Sequence, residues 1–432
     1  MKKVLIITYY WPPSGGAGVQ RWIKFVKYLP ALGIEPLILT VHPNYATYPQ
    51  IDLTLENDIP KSTKIFYAKS VDLYSFYKKV SSNKEVPYGG FANTKKNNLK
   101  EKIIRFIRGN FIIPDPRKGW NKYAVAKARE LIRSHQIDTI ITTSPPHSTQ
   151  LIGLRLKREF DIKWIADLRD PWTDIYYFRQ MYPTPIAMQI HKNLEKKVLV
   201  GADKIITVSE SLKKLFAQKA DNVLGKIEVI SNGFDADDFK HVEINSESDF
   251  FFISYVGTIS EKYDVSGLIQ ALSELPEDIR AKIKVRFIGR IPSNIIEEFD
   301  RAGLNKLLEV TGYVPHAKAI EFQFSSDALL LVIPDVKNNE GILTGKIFEY
   351  LASQKPILLV GPENGDAARI IRETKSGLVC DYKNHLKMKD GIIRFFQSKQ
   401  LTIPEKNKLS DEVMMYTREN LTKELLTVIN SL

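Results

Sequence analysis

A single cysteine, Cys380, in 432 residues excludes an internal disulfide and any metal site built on paired thiolates, and points to a reducing cytoplasm. No apolar run approaches the roughly 18 residues that cross a bilayer. The opening "MKKVLIITYYWPP" is apolar only briefly, runs into a Pro and Gly turn, and has no small-residue cleavage site. It reads as a first buried strand rather than a signal peptide. Low-complexity tracts and short-period repeats are missing too. What is present, 44% hydrophobic and 26% charged residues, is the composition of a water-soluble globular protein. The length allows two or three domains.

The formal net charge of +12 is unevenly spread: Lys95 to Arg133 holds twelve Lys or Arg against Glu101, Asp115 and Glu130, about three quarters of the excess. Within it, "NNLKEKIIRFIRGNF" places Leu99, Ile103, Phe106 and Ile107 on one helical face and Lys100, Lys102, Arg105 and Arg108 elsewhere. Two outcomes stay open. The stripe packs on the chain's own domain with its charges solvated, or it meets an anionic membrane surface. Nucleic acid is not an expected partner, because no binding-module signature accompanies the charge.

Apolar strand-like runs alternate with helical patterns along nearly the whole chain, which predicts an α/β protein with parallel sheets built from βαβ units. "KKVLIIT", "EPLILT", "DTIITTS", "KWIADL", "DKIITVS" and "KIEVIS" are the strands expected in a first domain, residues 1–232, with a basic insertion at about 70–120. A polar linker rich in turn formers, 233–250, leads to a second domain, 251–400, with "FFISYVG", "KVRFIG", "LEVTGY", "ALLLVIP" and "PILLVG". Residues 401–432 form a helical end that could lie across either half. Two doubly wound domains facing a central crevice would place a ligand there.

Two nucleotide signatures fail. In "GILTGKI", Gly341 and Gly345 stand one residue too close for a P-loop, and Ile347 occupies the place of the Ser or Thr that holds magnesium. "SGGAGVQR", residues 14–21, follows the first strand and opens a helix with Val19, Trp22, Ile23, Val26 and Leu29 on one face, yet no acidic residue ends the next strand. NAD is therefore not an expected cofactor. Gly15 and Gly16 either serve a tight turn or let backbone approach a phosphate or sugar.

"DADD", residues 235–238, reads as turn and helix-start chemistry rather than a metal site. His147 lies just past a strand end, before a helix expected to be capped by Ser148, and is either a substrate contact or a solvated loop histidine. "WIADLRDPW" brings Asp167, Arg169 and Asp170 to another strand end, where at least one carboxylate belongs to an internal ion-pair network and a substrate role for Asp170 stays open.

The most informative stretch is "EGILTGKIFEYLASQKPILLVG", residues 340–361. A buried strand, a polar loop, Thr344 as helix cap, and Lys355-Pro356 as helix stop put Lys346 and Glu349 on neighbouring positions of one helical face. They are a surface ion pair or a ligand site. A cation in the first turn opposes the helix dipole, a conflict that an anionic ligand would remove.

Taken in order, "GGAG", "VSESLKKLF", "KIEVISNGFDADDF", "YVGTIS", "TGYVP" and "EGILTGKIFEYLASQKPIL" resemble the retaining GT-B glycosyltransferases of family 4, the glycosyl transferases group 1. The resemblance implies two Rossmann-like domains, a nucleoside-diphosphate sugar bound mainly by the second, and a glycan or lipid-linked acceptor bound mainly by the first. It places Glu349 on the ribose hydroxyls, and Lys346 with the amides near Thr344 and Gly345 on the diphosphate. Gly15 and Gly16 would approach the sugar and leaving phosphate, and the main chain at Val314 the base. Gly257, Thr258, Lys262, Arg290, Glu340 and Leu343 complete the donor side, with His147 and Asp170 toward the acceptor. Gly16 and His147 join Lys346 and Glu349 as the expected catalytic set. The chain departs from the family pattern at Thr258, where an Arg is common, and at Glu340, one place further from Glu349 than the motif's first Glu.

The implied activity is metal-independent hexosyl transfer with retention, needing no cofactor, in bacterial surface polysaccharide synthesis. Its expected place is the cytoplasm, peripheral on the inner membrane face. A sugar-nucleotide epimerase and a non-catalytic sugar-nucleotide-binding scaffold are the alternatives.

Overall fold

The computed structural model describes residues 1–71, 99–240, 242, 248–401 and 409–432. The chain divides into two compact units, Met1–Ser231 with Arg418–Leu432, and Asn232–Thr417.

In the first unit seven parallel strands, β1 (Lys2–Ile7), β2 (Ile34–Val41), β3 (Lys64–Ala68), β4 (Thr139–Ser144), β5 (Lys163–Leu168), β6 (Lys204–Thr207) and β7 (Ile227–Val229), lie in the order 3-2-1-4-5-6-7. Their runs are apolar throughout because both faces are covered. Leu5 and Ile7 pack with Ala124, Ala128 and Leu131 of helix Asn121–His135 and Ile152 of helix Ser148–Glu159. Val4 and Ile6 face the other way, onto Trp22, Ile23 and Val26 of helix Ala17–Tyr28. The same cluster holds Leu421, Leu425 and Ile429 of the terminal helix Arg418–Asn430, which therefore completes the first sheet's cover. Each fully buried side chain of this kind contributes about 1.5–3 kcal/mol of transfer free energy.

The second unit repeats the plan with β8 (Phe251–Val256), β9 (Ile283–Ile288), β10 (Leu308–Gly312), β11 (Ala328–Val332), β12 (Ile357–Val360) and β13 (Gly377–Cys380), ordered 10-9-8-11-12-13. Phe251, Ile253 and Tyr255 join one core cluster. Leu329, Leu331 and Ile333 join another, which includes Ile347, Phe348, Tyr350 and Leu351 of helix Lys346–Ser353. In each sheet the strand order reverses once, beside β1 and β4 and beside β8 and β11. Loops at the carboxyl ends of those strands form the usual ligand position of this topology.

Among the described residues, two strands lie outside the eleven expected ones. β3 and β13 are both sheet edges; β3 buries only Ala68 fully, and β13 has four residues, so neither carries a long apolar run.

Helix Leu99–Phe111 docks by its carboxyl end. Asn110 donates to Tyr182 O at 3.0 Å and accepts from Thr184 N at 2.7 Å, and a β-carbon on Gly109 would lie 2.4 Å from Met181 O. Leu99, Ile103, Phe106 and Ile107 remain 40 to 71% exposed. Among the described residues the stripe is thus not packed on its own domain. The insertion's residues 72–98, with Lys95 and Lys96, lie outside the described residues.

Candidate functional site

Helix Lys346–Ser353 turns Ile347, Phe348, Tyr350 and Leu351 into the core, each 0 or 1% exposed, which leaves Lys346 and Glu349 together on the other face. They take partners on different elements. Lys346 Nζ donates to Tyr255 OH on β8 at 3.0 Å and lies 4.9 Å from the centre of that ring. Glu349 Oε2 accepts from Gln323 Nε2, on helix His316–Phe324, at 2.8 Å. The helix ends at Ser353, with Gln354 left-handed (φ 56°) ahead of Lys355-Pro356.

Its start differs from expectation. Gly345, not Thr344, is the N-cap residue, with no side-chain cap bond. Thr344 Oγ1 is buried without a hydrogen-bond partner among the described residues. Thr344 contributes its carbonyl instead, accepting from Ile347 N at 3.3 Å.

The ends of β8, β9 and β10 meet beside this helix through glycines. Gly257 (φ +124°) donates to Ile288 O at 2.7 Å. A β-carbon on Gly257 would fall 2.3 Å from Lys346 Cε, and one on Gly289 (φ +130°) would fall 2.4 Å from Gly257 O. Gly289 in turn bridges to Gly312, after which Tyr313 is exposed and Val314 packs against the core. These close approaches require glycine, since a side chain would meet both steric overlap and an unfavourable φ.

Thr258 and Arg290 are exposed, and each contributes a carbonyl: Thr258 O accepts from Tyr255 OH at 3.0 Å, and Arg290 O from Ile259 N at 3.0 Å. Lys262, also exposed, accepts through its carbonyl from Asp335 N at 2.9 Å, which ties the loop after β8 to the one after β11. Glu340 sits in the turn Asn339–Gly341, held by Asn339 Nδ2 donating to Pro334 O at 3.2 Å and Tyr382 OH at 3.0 Å. Leu343 packs half-buried against the core beneath the helix. Asp235 Oδ1 accepts from Asp237 N at 3.1 Å, a turn cap of the kind expected for "DADD".

In the first unit Gly15 N donates to Gln50 O at 3.0 Å, and a β-carbon there would lie 2.9 Å from Asp52 Cβ. Gly16 (φ +104°) opens helix Ala17–Tyr28. Arg169 clips that helix to the carboxyl end of β4: Nη1 donates to Gly18 O at 2.8 Å and Nε to Ser144 O at 3.0 Å. Asp167 is the internal carboxylate. Fully buried, it accepts from Trp22 Nε1 at 2.8 Å, Thr143 Oγ1 at 2.7 Å and Arg21 Nη2 at 3.3 Å. Asp170 has no hydrogen-bond or ion-pair partner among the described residues, and burial raises its pKa, opposed by the Arg169 charge.

His147 is not a solvated loop residue. Its ring stacks on Trp172 with centroids 4.9 Å apart and planes 9° apart, and its Nδ1 is buried without a partner among the described residues. Burial first, then the His191, Lys219 and Arg169 charges, lowers its pKa to about 3, so the imidazole is neutral at physiological pH. Trp172 Nε1 also donates to His191 Nδ1 at 3.1 Å. Contrary to expectation, Ser148 does not cap the next helix. Asp115 does, accepting from Ser148 N at 2.7 Å and Ser148 Oγ at 2.9 Å.

Tyr255, Gln323 and Asp115 carried no sequence signal for these roles, because each acts across a long stretch of chain. Gly18 stood within "SGGAGVQR", but its meeting with Arg169 joins positions 151 apart.

The Glycosyltransferase Family 4 model matches residues 88–238 and the Glycosyl transferases group 1 model residues 236–412. No curated protein sequence matches the chain. Among solved structures, it is similar to sucrose-phosphate synthase from Thermosynechococcus elongatus (TM-score 0.63, 12% identity, 100% of this chain and 99% of the other). It is also similar to Anabaena Alr3699/HepE in complex with UDP-glucose (0.59, 14%, 100% of both chains). A third is the lipopolysaccharide outer core galactosyltransferase WaaB in its apo form (0.61, 11%, 99% of both chains). At such identities the likeness establishes the fold, and it agrees with two parallel sheets of seven and six strands. With two adjoining models of one enzyme group spanning residues 88–412 and the matching architecture, the chain belongs to the GT-B glycosyltransferases of family 4, group 1.

Proposed function

We propose that this glycosyltransferase moves a hexose from a nucleoside-diphosphate sugar to a glycan or lipid-linked acceptor, with retention, without a metal, in building a bacterial surface polysaccharide. The observation that carries it is the placement of Lys346 and Glu349 on one face of a helix after β11, beside the glycine-lined ends of β8 and β9. Lys346 neutralises the diphosphate as charge develops on it, and Glu349 accepts hydrogen bonds from the ribose hydroxyls. Thr344 Oγ1, buried and unpartnered among the described residues, is a donor for a phosphate oxygen. Gly257, Thr258, Lys262, Arg290, Glu340, Leu343, Gly345 and the main chain at Val314 complete the donor side. Gly15 and Gly16 approach the sugar by backbone.

In the transfer the bond from C1 to the phosphate oxygen breaks, the acceptor oxygen bonds to C1, and the acceptor proton passes to the departing phosphate. No side chain is assigned as general base. His147, neutral, and Asp170 contact the acceptor side. Positioning and electrostatic stabilisation supply the rate. The exposed apolar stripe of helix Leu99–Phe111, with Lys102, Arg105 and Arg108, supports a peripheral cytoplasmic place against an anionic membrane, where lipid-linked acceptors lie.

The test is a thermal shift with UDP, GDP, dTDP, ATP and NAD in EDTA, followed by transfer assays with the matching sugars and determination of the product anomer. A ligand at a hundred times its Kd adds about 2.7 kcal/mol. One nucleoside diphosphate stabilising the protein without metal, and losing that effect in Glu349→Ala, is the expected result. Stabilisation by NAD or ATP alone, or by nothing, would overturn the donor-site reading. Conversion of the sugar nucleotide without an acceptor would identify an epimerase. Binding without turnover would favour a scaffold, for which Thr258 in the place of an Arg is the supporting observation.

A further inference from the structure

Tyr255 belongs to no recognised element of the donor site, yet it holds that site's cation. Its ring lies in the core at 1% exposure, packed 5.9 Å from Phe287 and edge-on to Tyr263 at 6.5 Å, so it cannot swing. Its hydroxyl, which also hydrogen-bonds the Tyr263 side chain, donates to Thr258 O at 3.0 Å and accepts from the Lys346 ammonium, also at 3.0 Å. The lysine stem reaches this point only by crossing Gly257, where a β-carbon would lie 2.3 Å from Cε and 3.1 Å from Nζ. Gly289 in turn leaves the space for the Gly257 carbonyl. A fixed ring, a hydrogen-bonded hydroxyl and a glycine passage thus restrict a side chain that is otherwise among the most flexible.

We propose that Tyr255 is the positioning residue for Lys346, presetting its ammonium for the donor diphosphate so that little side-chain freedom is lost on binding. The inference rests on Lys346 meeting the diphosphate, as proposed above. Presetting one long side chain corresponds to about a five- to tenfold gain in affinity. That gain belongs to ligands that carry phosphates.

The experiment measures the Kd of UDP against uridine, and of GDP against guanosine, for the full chain and for Tyr255→Phe, Lys346→Met and the double variant. Phe keeps the ring, and a single cooperative melt without ligand confirms folding, at a melting temperature only modestly lowered by the lost hydroxyl bonds. Tyr255→Phe is expected to weaken the diphosphate five- to tenfold, to leave the nucleoside unchanged, and to add nothing in the Lys346→Met background. Equal weakening of nucleoside and diphosphate would mark a merely structural effect through the lost Thr258 bond and overturn the inference. So would an undiminished effect in the Lys346→Met background, or no effect at all. If Lys346→Met itself leaves diphosphate affinity intact, the assignment of Lys346 fails and this inference falls with it. If Lys346→Met weakens binding while Tyr255→Phe does not, only the inference falls.

Discussion

Gln323 donates its side-chain amide to Glu349 Oε2 at 2.8 Å from a position only 1% exposed, so the candidate ribose acceptor is aimed by a buried residue 26 positions earlier. Removing the carboxylate therefore has two consequences. Glu349→Ala leaves the Gln323 amide buried and unpaired, at about 1–3 kcal/mol, and on the proposed donor-site assignment is expected to abolish nucleotide binding. Glu349→Gln keeps an oxygen for Gln323 and is expected to hold stability within about 0.5 kcal/mol, while nucleoside-diphosphate affinity falls about tenfold or more. Denaturant melts and ligand titrations separate the two. An affinity for Glu349→Gln equal to wild type would remove Glu349 from the donor site.

Gly257→Ala is expected to destabilise the second unit by about 1–3 kcal/mol through its unfavourable φ alone. The new methyl also displaces the Lys346 stem, so on the proposed donor-site assignment diphosphate affinity is expected to fall further than stability accounts for. Chemical denaturation combined with UDP titration reads both effects. A fully stable variant that binds normally would contradict the close approach.

Asp167 and Asp170 stand three apart and should behave in opposite ways. Asp167 neutralises Arg21 and accepts from Trp22 and Thr143 in full burial, so Asp167→Ala leaves a buried guanidinium and is expected to cost about 3–5 kcal/mol. Asp170 has no such partners among the described residues, and Asp170→Asn is expected to change stability by less than about 0.5 kcal/mol. On the acceptor-side assignment it nevertheless lowers transfer. Urea melts of the two variants, with transfer assays on the second, decide it.

Two histidines of the first unit set a pH dependence. Burial lowers the pKa of His147 to about 3 and that of His191 to about 4. Their folded-state values lie below that of the unfolded chain, near 6.5, so between those limits the unfolded state binds more protons. Stability is therefore full above about pH 6.5 and declines as pH falls toward 4 and then 3, by at most about 1.4 kcal/mol per pH unit for each histidine. Melting temperatures from pH 7 to 4.5 should show the decline, and His191→Gln should flatten it. A flat profile in the wild type would mean that both rings accept protons without cost. Because His147 stays neutral, it should give the rate profile no limb between pH 5 and 8.

For the exposed stripe, replacing both Ile103 and Phe106 with Ser should leave folding intact, since they are 51 and 40% exposed. Each apolar side chain moved into a lipid interface is worth up to about 1.5–3 kcal/mol. Co-sedimentation with vesicles containing phosphatidylglycerol is expected to fall severalfold in the double variant and with added salt. Equal sedimentation of variant and wild type would argue that this face does not meet lipid.

The sequence by itself determined the alternation of strands and helices, because parallel strands covered on both faces must be apolar throughout and short, as "KKVLIIT" and "ALLLVIP" are. It also determined the pairing of Lys346 with Glu349, since a three-residue step on a helix is a local property. The tertiary structure decided what lies far apart in the chain. It made strands of β3 and β13, whose edge positions bury too little to show an apolar run. It brought Asp115, rather than Ser148, to cap a helix 33 positions later. It placed the terminal helix Arg418–Asn430 on the first sheet, beside the helix after β1. And it gave Lys346 and Glu349 their separate partners, Tyr255 and Gln323, which no spacing rule connects because the chain between them has to fold before they can meet.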